Sequence, residues 1–560
     1  MVKQGSVIKG AQVRESVLVI GLDGMTFDVL RPLIAKGLMP LLGQAFQRAA
    51  WAPLRSTVPP FSAPAWATFM TGMNPGWHGV IAFQKSSRHG EPTRHFVDGT
   101  QIPDTLWEIV SRADGQVIVI NVPLTYPPRP VNGILVSGML TPSAAHTFTY
   151  PAYVQEQLDN YIIDLDYLIE GQEFRQDIVT DKAKLLSDLT YIVERQSANA
   201  TRLLQTNVWN LAVVVFTVTD RLLHFFWDEI QELLAENTDI PLYTELIRFW
   251  KTLDAALGQL LAVALPDTRV VFISDHGFGP APYYYVNVNV WLEQQGWLFR
   301  RRGLRSQFSP RQLRVTLGRI APLKAWLRRL LPFKVQRKLR RSLAGDGEAG
   351  VIDWNLTQAY MVPLYAYTCG IAIPTVRAGR TVTIQEYEAL RHNIMVRLTS
   401  LCDAEGRSIV QHVYRREDLY HGPYLADLPD VVVVFKPAYA AMVSLAEHSI
   451  VVPATYRLRS GDHMDNGIFG AFGPDIVQGE IADIVNLVDI TPTILHMLRI
   501  APPRCFDGKV LTTLFTSEWL DKHPLLSVAQ QDTPITGQTF DYTDEEEALI
   551  QQRLERLGYL

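Results

Sequence analysis

Val17-Leu18-Val19-Ile20-Gly21-Leu22-Asp23-Gly24 is an apolar run that stops on a carboxylate. The run does not alternate with polar residues, so it reads as a strand buried on both faces, as in a parallel sheet covered by helices above and below. Residues 117–122, 211–217, 269–274 and 430–435 read the same way, with longer helical patterns between them. This alternation predicts an α/β fold: a doubly wound, mostly parallel sheet with helices on both faces. In such sheets ligands gather beyond the carboxyl ends of the strands. Asp23 stands at that end of the first strand, Asp220 after Val213-Val214-Val215-Phe216-Thr217, and Asp275 after Val270-Val271-Phe272-Ile273-Ser274.

Composition narrows the class. Hydrophobic residues make up 47% and charged residues 19% of 560, the balance of a globular chain rather than a disordered one. That length exceeds a single small core, so two or more folding units are expected. A net charge of −5 predicts no general attraction to a nucleic-acid polymer. Cys369, Cys402 and Cys505 fit neither a metal spacing nor a disulfide framework, and read as idle thiols in a reducing compartment. The stretch 1–16 lacks the apolar centre and cleavage signal of an export leader. The run at 17–22 is far short of the roughly 20 residues a bilayer needs, and that at 211–219 is broken by Asp220. A cytoplasmic protein without a transmembrane helix is expected.

The candidate chemistry is scattered. Asp220 and His224 are spaced i, i+4 and share one face of any helix that starts after the strand; the spacing also suits an ordinary polar pair at a helix start. Asp275-His276-Gly277 sets two ligand-type side chains at a strand end before a glycine able to turn sharply, and alone it reads equally as a plain turn. The same holds for Asp23-Gly24. His463 lies in Gly461-Asp462-His463-Met464-Asp465-Asn466-Gly467, the composition of a loop. Ser62 precedes Ala63-Pro64-Ala65-Trp66-Ala67-Thr68-Phe69-Met70-Thr71-Gly72. Proline favours a first helical turn, which puts Ser62 at a helix N-terminus. There it serves either as a cap or as a hydroxyl among free amides at the positive helix end, where phosphate binds. A serine hydroxyl is a poor nucleophile until a base or a metal removes its proton. Oxygen and imidazole ligands brought together hold divalent ions, and two ions beside a hydroxyl make a phosphoryl-transfer site.

Taken in chain order, Asp23, Ser62, Asp220-x-x-x-His224, Asp275-His276-Gly277 and His463 resemble the pattern of the alkaline phosphatase superfamily. More closely, they resemble its type I phosphodiesterase/nucleotide pyrophosphatase family. The likeness runs from about residue 16 to 515. It takes in Met70-Thr71-Gly72, Asn74-Pro75-Gly76-Trp77-His78-Gly79, Asn289-Val290-Trp291-Leu292, Val413-Tyr414-Arg415-Arg416-Glu417, Gly422-Pro423-Tyr424 and Asp489-Ile490-Thr491-Pro492-Thr493. The resemblance implies that Asp220, His224 and His463 hold a first metal. It implies that Asp23, Asp275, His276 and the Ser62 hydroxyl hold a second, with Ser62 the catalytic nucleophile. Such a site needs two divalent ions. A nitrogen and oxygen set without sulfur suits Zn²⁺ best, and Mn²⁺ or Fe²⁺ also suit.

The chain departs from the family pattern in three respects. The nucleophile is serine where threonine is usual. Ala65 occupies the place of an asparagine that helps hold a phosphate oxygen, which bears on diester specificity. The disulfides of secreted members are absent. A sulfatase is disfavoured, because Trp66 stands where the Cys/Ser-x-Pro-x-Arg motif needs arginine.

Residues 300–341 contain fifteen Lys or Arg and no Asp or Glu, with Leu323, Trp326, Leu327, Leu330 and Leu331 at helical spacing. This segment reads as basic amphipathic helices with three candidate roles: a solvated face, a lid offering cations to an anionic substrate, or a peripheral membrane-surface contact. Residues 542–560 read as a terminal helix with Thr543 as N-cap and acidic residues in its first turn. The organisation expected is residues 1–290 as the first part of an alkaline-phosphatase-like catalytic core, 291–350 as a basic helical insertion forming a cap or lid, 351–520 as the second part of the core with smaller cap elements, and 521–560 as a C-terminal helical tail.

The resemblance implies a metal-dependent phosphoesterase acting on phosphodiester or phosphoanhydride bonds of a small molecule through a covalent phospho-Ser62 intermediate. Ala65 leaves open a phosphomonoesterase or phosphonate hydrolase. The basic segment leaves open a transferase or binding protein for a phospho-headgroup.

Overall fold

The computed structural model describes residues 15–86, 92–142, 145, 147–165, 181–301, 351–365, 367–375, 382–445, 448–454, 459–526, 540–557 and 559. The chain divides into two units. The first comprises Met1–Ala281, Leu419–Leu428 and Tyr456–Leu560, and the second Pro282–Asp418 and Pro429–Thr455.

The strands of the first unit are β1 (Ser16–Leu22), β2 (Ala50–Arg55), β3 (Val117–Val122), β4 (Gly133–Ser137), β5 (Thr149–Tyr150), β6 (Leu211–Phe216), β7 (Thr268–Ile273), β8 (Gly277–Pro280), β9 (Gly461–Met464), β10 (Asn466–Phe472), β11 (Gly479–Glu480) and β12 (Val485–Asn486). A ten-stranded sheet has the order β11-β2-β10-β7-β1-β6-β3-β4-β5, with β12 beside β2. The five strands β7, β1, β6, β3 and β4 run parallel. β10 is antiparallel to both its neighbours, as is β5 to β4. β3, β6 and β7 are buried along their whole length, and β1 everywhere but at Ser16. That burial on both faces is why these sequences are unbroken apolar runs.

Strand order positions the site. β1 lies between β6 and β7, with Leu22 opposite Phe216 and Gly21 opposite Ile273. The residues just beyond these three parallel strands therefore leave the sheet together, and they include Asp23, Asp220 and Asp275. Separately, β8 and β9 form an antiparallel pair.

The helices used below are α1 (Ser62–Thr71), α2 (Lys182–Thr206), α3 (Val218–Leu234), α4 (Tyr243–Val263) and α5 (Asp544–Leu557). All ten residues of α1 are buried, which its small side chains permit. Gly72, at φ 66°, ends the helix in the left-handed conformation glycine tolerates best. The long helices α2 and α4 pack on each other. α5 begins at Thr543 as expected. Thr543 Oγ1 accepts from Glu546 N at 3.3 Å, and Glu546 Oε2 accepts from Thr543 N at 2.8 Å.

The second unit contains an antiparallel sheet ordered Tyr360–Pro363, Thr368–Ala372, Val431–Phe435, Val410–Arg415. The helix Ile384–Thr399 lies against its last strand. A three-stranded sheet joins Tyr439–Ala441, Tyr284–Val286 and Val451–Pro453.

Two expectations are corrected here. The strand at 430–435 exists but pairs antiparallel in the second unit rather than in the parallel core. The division at 291 and the assignment of 351–520 to the core also differ from the observed units, since the second unit starts at Pro282 and claims residues up to Asp418 and from Pro429 to Thr455. The charge shift near residue 300 marks composition, whereas the units are set by which strands find partners. The basic segment 300–341 lies outside the described residues apart from Arg300 and Arg301. No helix among the described residues is long and apolar enough to cross a membrane. Cys369, Cys402 and Cys505 are free thiols.

Candidate metal centre

Asp23, Ser62, Asp220, His224, Asp275, His276 and His463 all lie in the first unit. Asp220 follows β6 in the first turn of α3, and its i, i+4 partner His224 shares its face with Oδ1 to Nε2 at 3.4 Å. His463 Nε2 lies 3.0 Å from the same Oδ1 and 3.0 Å from His224 Nε2. These three separations match the edge of about 3.3 Å of a tetrahedron with metal bonds of about 2.0–2.1 Å. Beside this triangle, His276 Nε2 lies 3.2 Å from Asp275 Oδ2, 3.7 Å from Asp23 Oδ1 and 3.2 Å from Ser62 Oγ. Its 4.0 Å approach to Asp220 Oδ1 links the two groups.

The three imidazoles are oriented alike. Each Nδ1–H donates to a backbone carbonyl: His224 to Gly461 at 3.0 Å, His276 to Gly277 at 3.0 Å, His463 to Pro60 at 3.1 Å. Each Nε2 is thereby left as the acceptor of its ring, the tautomer metal ligands adopt: Arg459 Nη1 lies 3.0 Å from that of His224, and the Ser62 hydroxyl 3.2 Å from that of His276. Asp23 Oδ1, Asp220 Oδ1 and Asp275 Oδ2 are buried and make no hydrogen bond. Unpaired buried carboxylate oxygens are costly, and the Nε2 atoms of His224 and His463 lie 3.0 Å apart. A donor set of this kind is satisfied by cations. The residues therefore fit divalent ions, and their ligand atoms gather in three overlapping groups, Asp220/His276/His463, His224/Asp462/His463 and Asp23/Asp275/His276.

The electrostatics agree. Burial, then the carboxylates of Asp275 and Asp220, push Asp23 well above the usual carboxylate range, against the pull of His276 and Arg221. Burial likewise pushes Asp275 up to about 7, opposed by the N–H of Gly24, which donates to Oδ1 at 3.1 Å. Burial alone would raise Asp220 too, but the charges of His224, Arg221 and His463 together hold it well below. Burial depresses His463 to about 3, and burial with Arg459 depresses His224 well below its ordinary value.

Several local details differ from the sequence reading. Ser62 is the first residue of α1 rather than its cap; Phe61 caps the helix, and the Ser62 hydroxyl is turned to His276. His463 is in a strand, opposite Phe278 on β8, and fully buried, not in a loop. Gly277 also belongs to a strand. Its need for glycine comes from the carbonyl of Asn466, which an added Cβ would meet at 2.0 Å. Gly24 does make a turn, at φ 70°.

Four participants had no sequence signal pointing to the site, or an overlooked one. Trp66, one helical turn after Ser62, donates its indole N–H to Asp23 Oδ2 at 3.0 Å; the i, i+4 spacing offered that clue. Asp462 offers a carboxylate oxygen near His224 and His463. Arg459 Nη1 lies 3.0 Å from His224 Nε2. Tyr559 hydrogen-bonds Asp220 Oδ2.

A parallel sheet presenting such a cage at the carboxyl ends of its strands, beside a serine at a helix start, defines the class as the alkaline phosphatase superfamily. The model of the type I phosphodiesterase/nucleotide pyrophosphatase family matches residues 17–448, and the chain belongs to that family. It is a phosphoric ester hydrolase of a superfamily that uses divalent metals. Among solved structures it is similar to the phosphonoacetate hydrolase of Sinorhizobium meliloti 1021, with 14% identity, TM-score 0.51, and 88% of this chain and 96% of that chain covered. It is also similar to the alkaline phosphatase PafA, with 13% identity, TM-score 0.49, and 90% and 100% covered. The murine ectonucleotide pyrophosphatase/phosphodiesterase 5 gives 11% identity, TM-score 0.44, and 90% and 100% covered. No curated protein matches the sequence.

Proposed function

We propose that the protein hydrolyses phosphodiester or phosphoanhydride bonds of a small molecule through a covalent phospho-Ser62 intermediate. In this reading Asp220, His224 and His463 hold one divalent ion, and Asp23, Asp275, His276 and Ser62 hold the other, with Zn²⁺ preferred. The observation that carries it is the set of three buried carboxylate oxygens without a hydrogen bond, gathered around the Nε2 atoms of His224, His276 and His463, with the Ser62 hydroxyl 3.2 Å from His276 Nε2. When bound, the ions lower the pKa of the hydroxyl and neutralise charge on the phosphoryl group. Ser62 Oγ gives up its proton and bonds to phosphorus, and the bond from phosphorus to the leaving oxygen breaks. Water then attacks phosphorus and frees Ser62. The positive end of α1, where Ser62 sits, favours the anionic phosphoryl group it carries.

Metal-stripped protein, reloaded with Zn²⁺ or Mn²⁺ separately, is to be assayed on an aryl phosphodiester. Ser62→Ala is expected to lose at least about a thousandfold in turnover while still binding metal. Full metal-dependent turnover by that variant would sink the reading.

Phosphomonoester or phosphonate hydrolysis is a second reading, favoured by Ala65 and Arg459. Ala65 is fully buried and offers only a methyl where the family has asparagine. Arg459 brings a guanidinium next to His224, and arginine pairs well with phosphate oxygens. A nitrophenyl monoester turned over faster than the diester would select it.

A further inference from the structure

We propose that Tyr559 is a positioning residue of this centre, resting on the metal-site reading above: its hydroxyl, with the Arg221 guanidinium, holds Asp220 Oδ2 so that Oδ1 alone is offered to the ion of the His224 and His463 side. The two oxygens of Asp220 are treated oppositely. Oδ1 has no hydrogen bond and faces His224 and His463. Oδ2 takes a hydrogen bond from Arg221 Nη1 at 2.5 Å and another from the Tyr559 hydroxyl. The same hydroxyl accepts from Arg221 Nη1. Arg221 is itself anchored, Nη2 donating to Asp164 Oδ2 at 2.7 Å, and both groups are buried. Asp164, Arg221, Tyr559 and Asp220 thus form one polar relay that leaves Asp220 Oδ1 facing His224 and His463.

The ring does a second job. It packs against Phe61 and Phe83, with centroids 5.8 and 5.5 Å away, and against the imidazoles of His224 and His463, 5.9 and 6.3 Å away, with the guanidinium groups of Arg221 and Arg459 at 5.1 and 5.8 Å from its centroid. It fills the space behind two ligands whose planes must not turn. Tyr559 is delivered there by α5. Its N–H donates to Leu554 O at 2.8 Å, Ile550, Leu554 and Leu557 are buried, and Arg553 Nη1 donates to Thr141 O at 2.9 Å. A polar partner behind a ligand commonly sets metal affinity by about 10- to 100-fold. Nothing in the residues nearest the cage predicts that a side chain so remote in sequence supplies it.

The test is chelator-competition titration of Zn²⁺ into metal-stripped wild type, Tyr559→Phe and Tyr559→Leu, with unfolding temperatures of the metal-free forms. Tyr559→Phe keeps the ring and removes only the oxygen. It is expected to bind one ion about tenfold or more weaker and the other within about twofold of wild type, and to recover turnover at excess Zn²⁺. Tyr559→Leu should weaken the same ion further. Both ions within twofold of wild type in Tyr559→Phe would overturn the inference and leave the metal site standing. Equal weakening of both, with a lower metal-free unfolding temperature, would overturn it in favour of general loosening. A wild type that binds fewer than two ions would overturn both this inference and the reading beneath it.

Discussion

At Gly21 a single absent methyl decides how a ligand is held. A Cβ there would meet Trp66 Cη2 at 2.7 Å and Val215 Cγ2 at 2.9 Å. The indole can approach the strand this closely because Gly21 has no side chain, and from that seat it donates to Asp23. Gly21→Ala is expected to cost about 1–3 kcal/mol of stability by overpacking and to weaken the ion on the Asp23 side about tenfold. Trp66→Phe, which deletes the donor, should reproduce the affinity loss. Thermal unfolding and chelator competition report the two effects separately, and unchanged affinity in both variants would detach Trp66 from the centre. The ligands themselves were legible because carboxylates and imidazoles at strand ends carry their chemistry in their identity. Trp66 and Gly277 were not, since their roles depend on what lies opposite, Asp23 for one and the Asn466 carbonyl for the other.

Between elements, His78 ties the turn Asn74–Gly79 to α1. Its Nδ1 accepts from Val80 N at 3.1 Å, so the proton sits on Nε2, 3.1 Å from Thr68 Oγ1. Burial depresses its pKa to about 3. The unfolded chain binds this proton near pH 6.5 and the folded one does not, so the contribution is whole above pH 6.5 and lost as pH falls toward 3. Going from pH 7 to pH 5, the folded state should lose about 2 kcal/mol through His78 alone. His78→Gln should flatten that acid limb in denaturant titrations run at both pH values; an unchanged limb would remove His78 as its source. The apolar runs that became β1, β3, β6 and β7 were readable as buried strands. Which strand pairs with which was not. Val431–Phe435 is as apolar as β6, yet it joins an antiparallel sheet because its partners are Thr368–Ala372 and Val410–Arg415. His463 was misjudged for the same reason: a polar heptad looks like a loop until β8 is laid beside it.

For the molecule entire, the cage and its counterions form one titrating system. Burial holds Asp23 well above its ordinary pKa and raises Asp275 to about 7, so the metal-free centre binds protons there more readily than free carboxylates do. Cations displace them. Zn²⁺ loading at pH 7 is expected to release protons, measured calorimetrically in two buffers of different ionisation heat. On acidification the ion beside Asp23 and Asp275 should be lost first, because Asp220 is held well below the ordinary carboxylate range and burial depresses His463 to about 3. Equal loss of both ions would contradict that order. The seam formed by β8 and β9 has a wider consequence. Ala281 N donates to Ser460 O at 2.8 Å, so the β8–β9 ladder continues one bond past Pro280 and Gly461. A one-residue slip of this ladder would turn His463 to the opposite face, away from the other ligands.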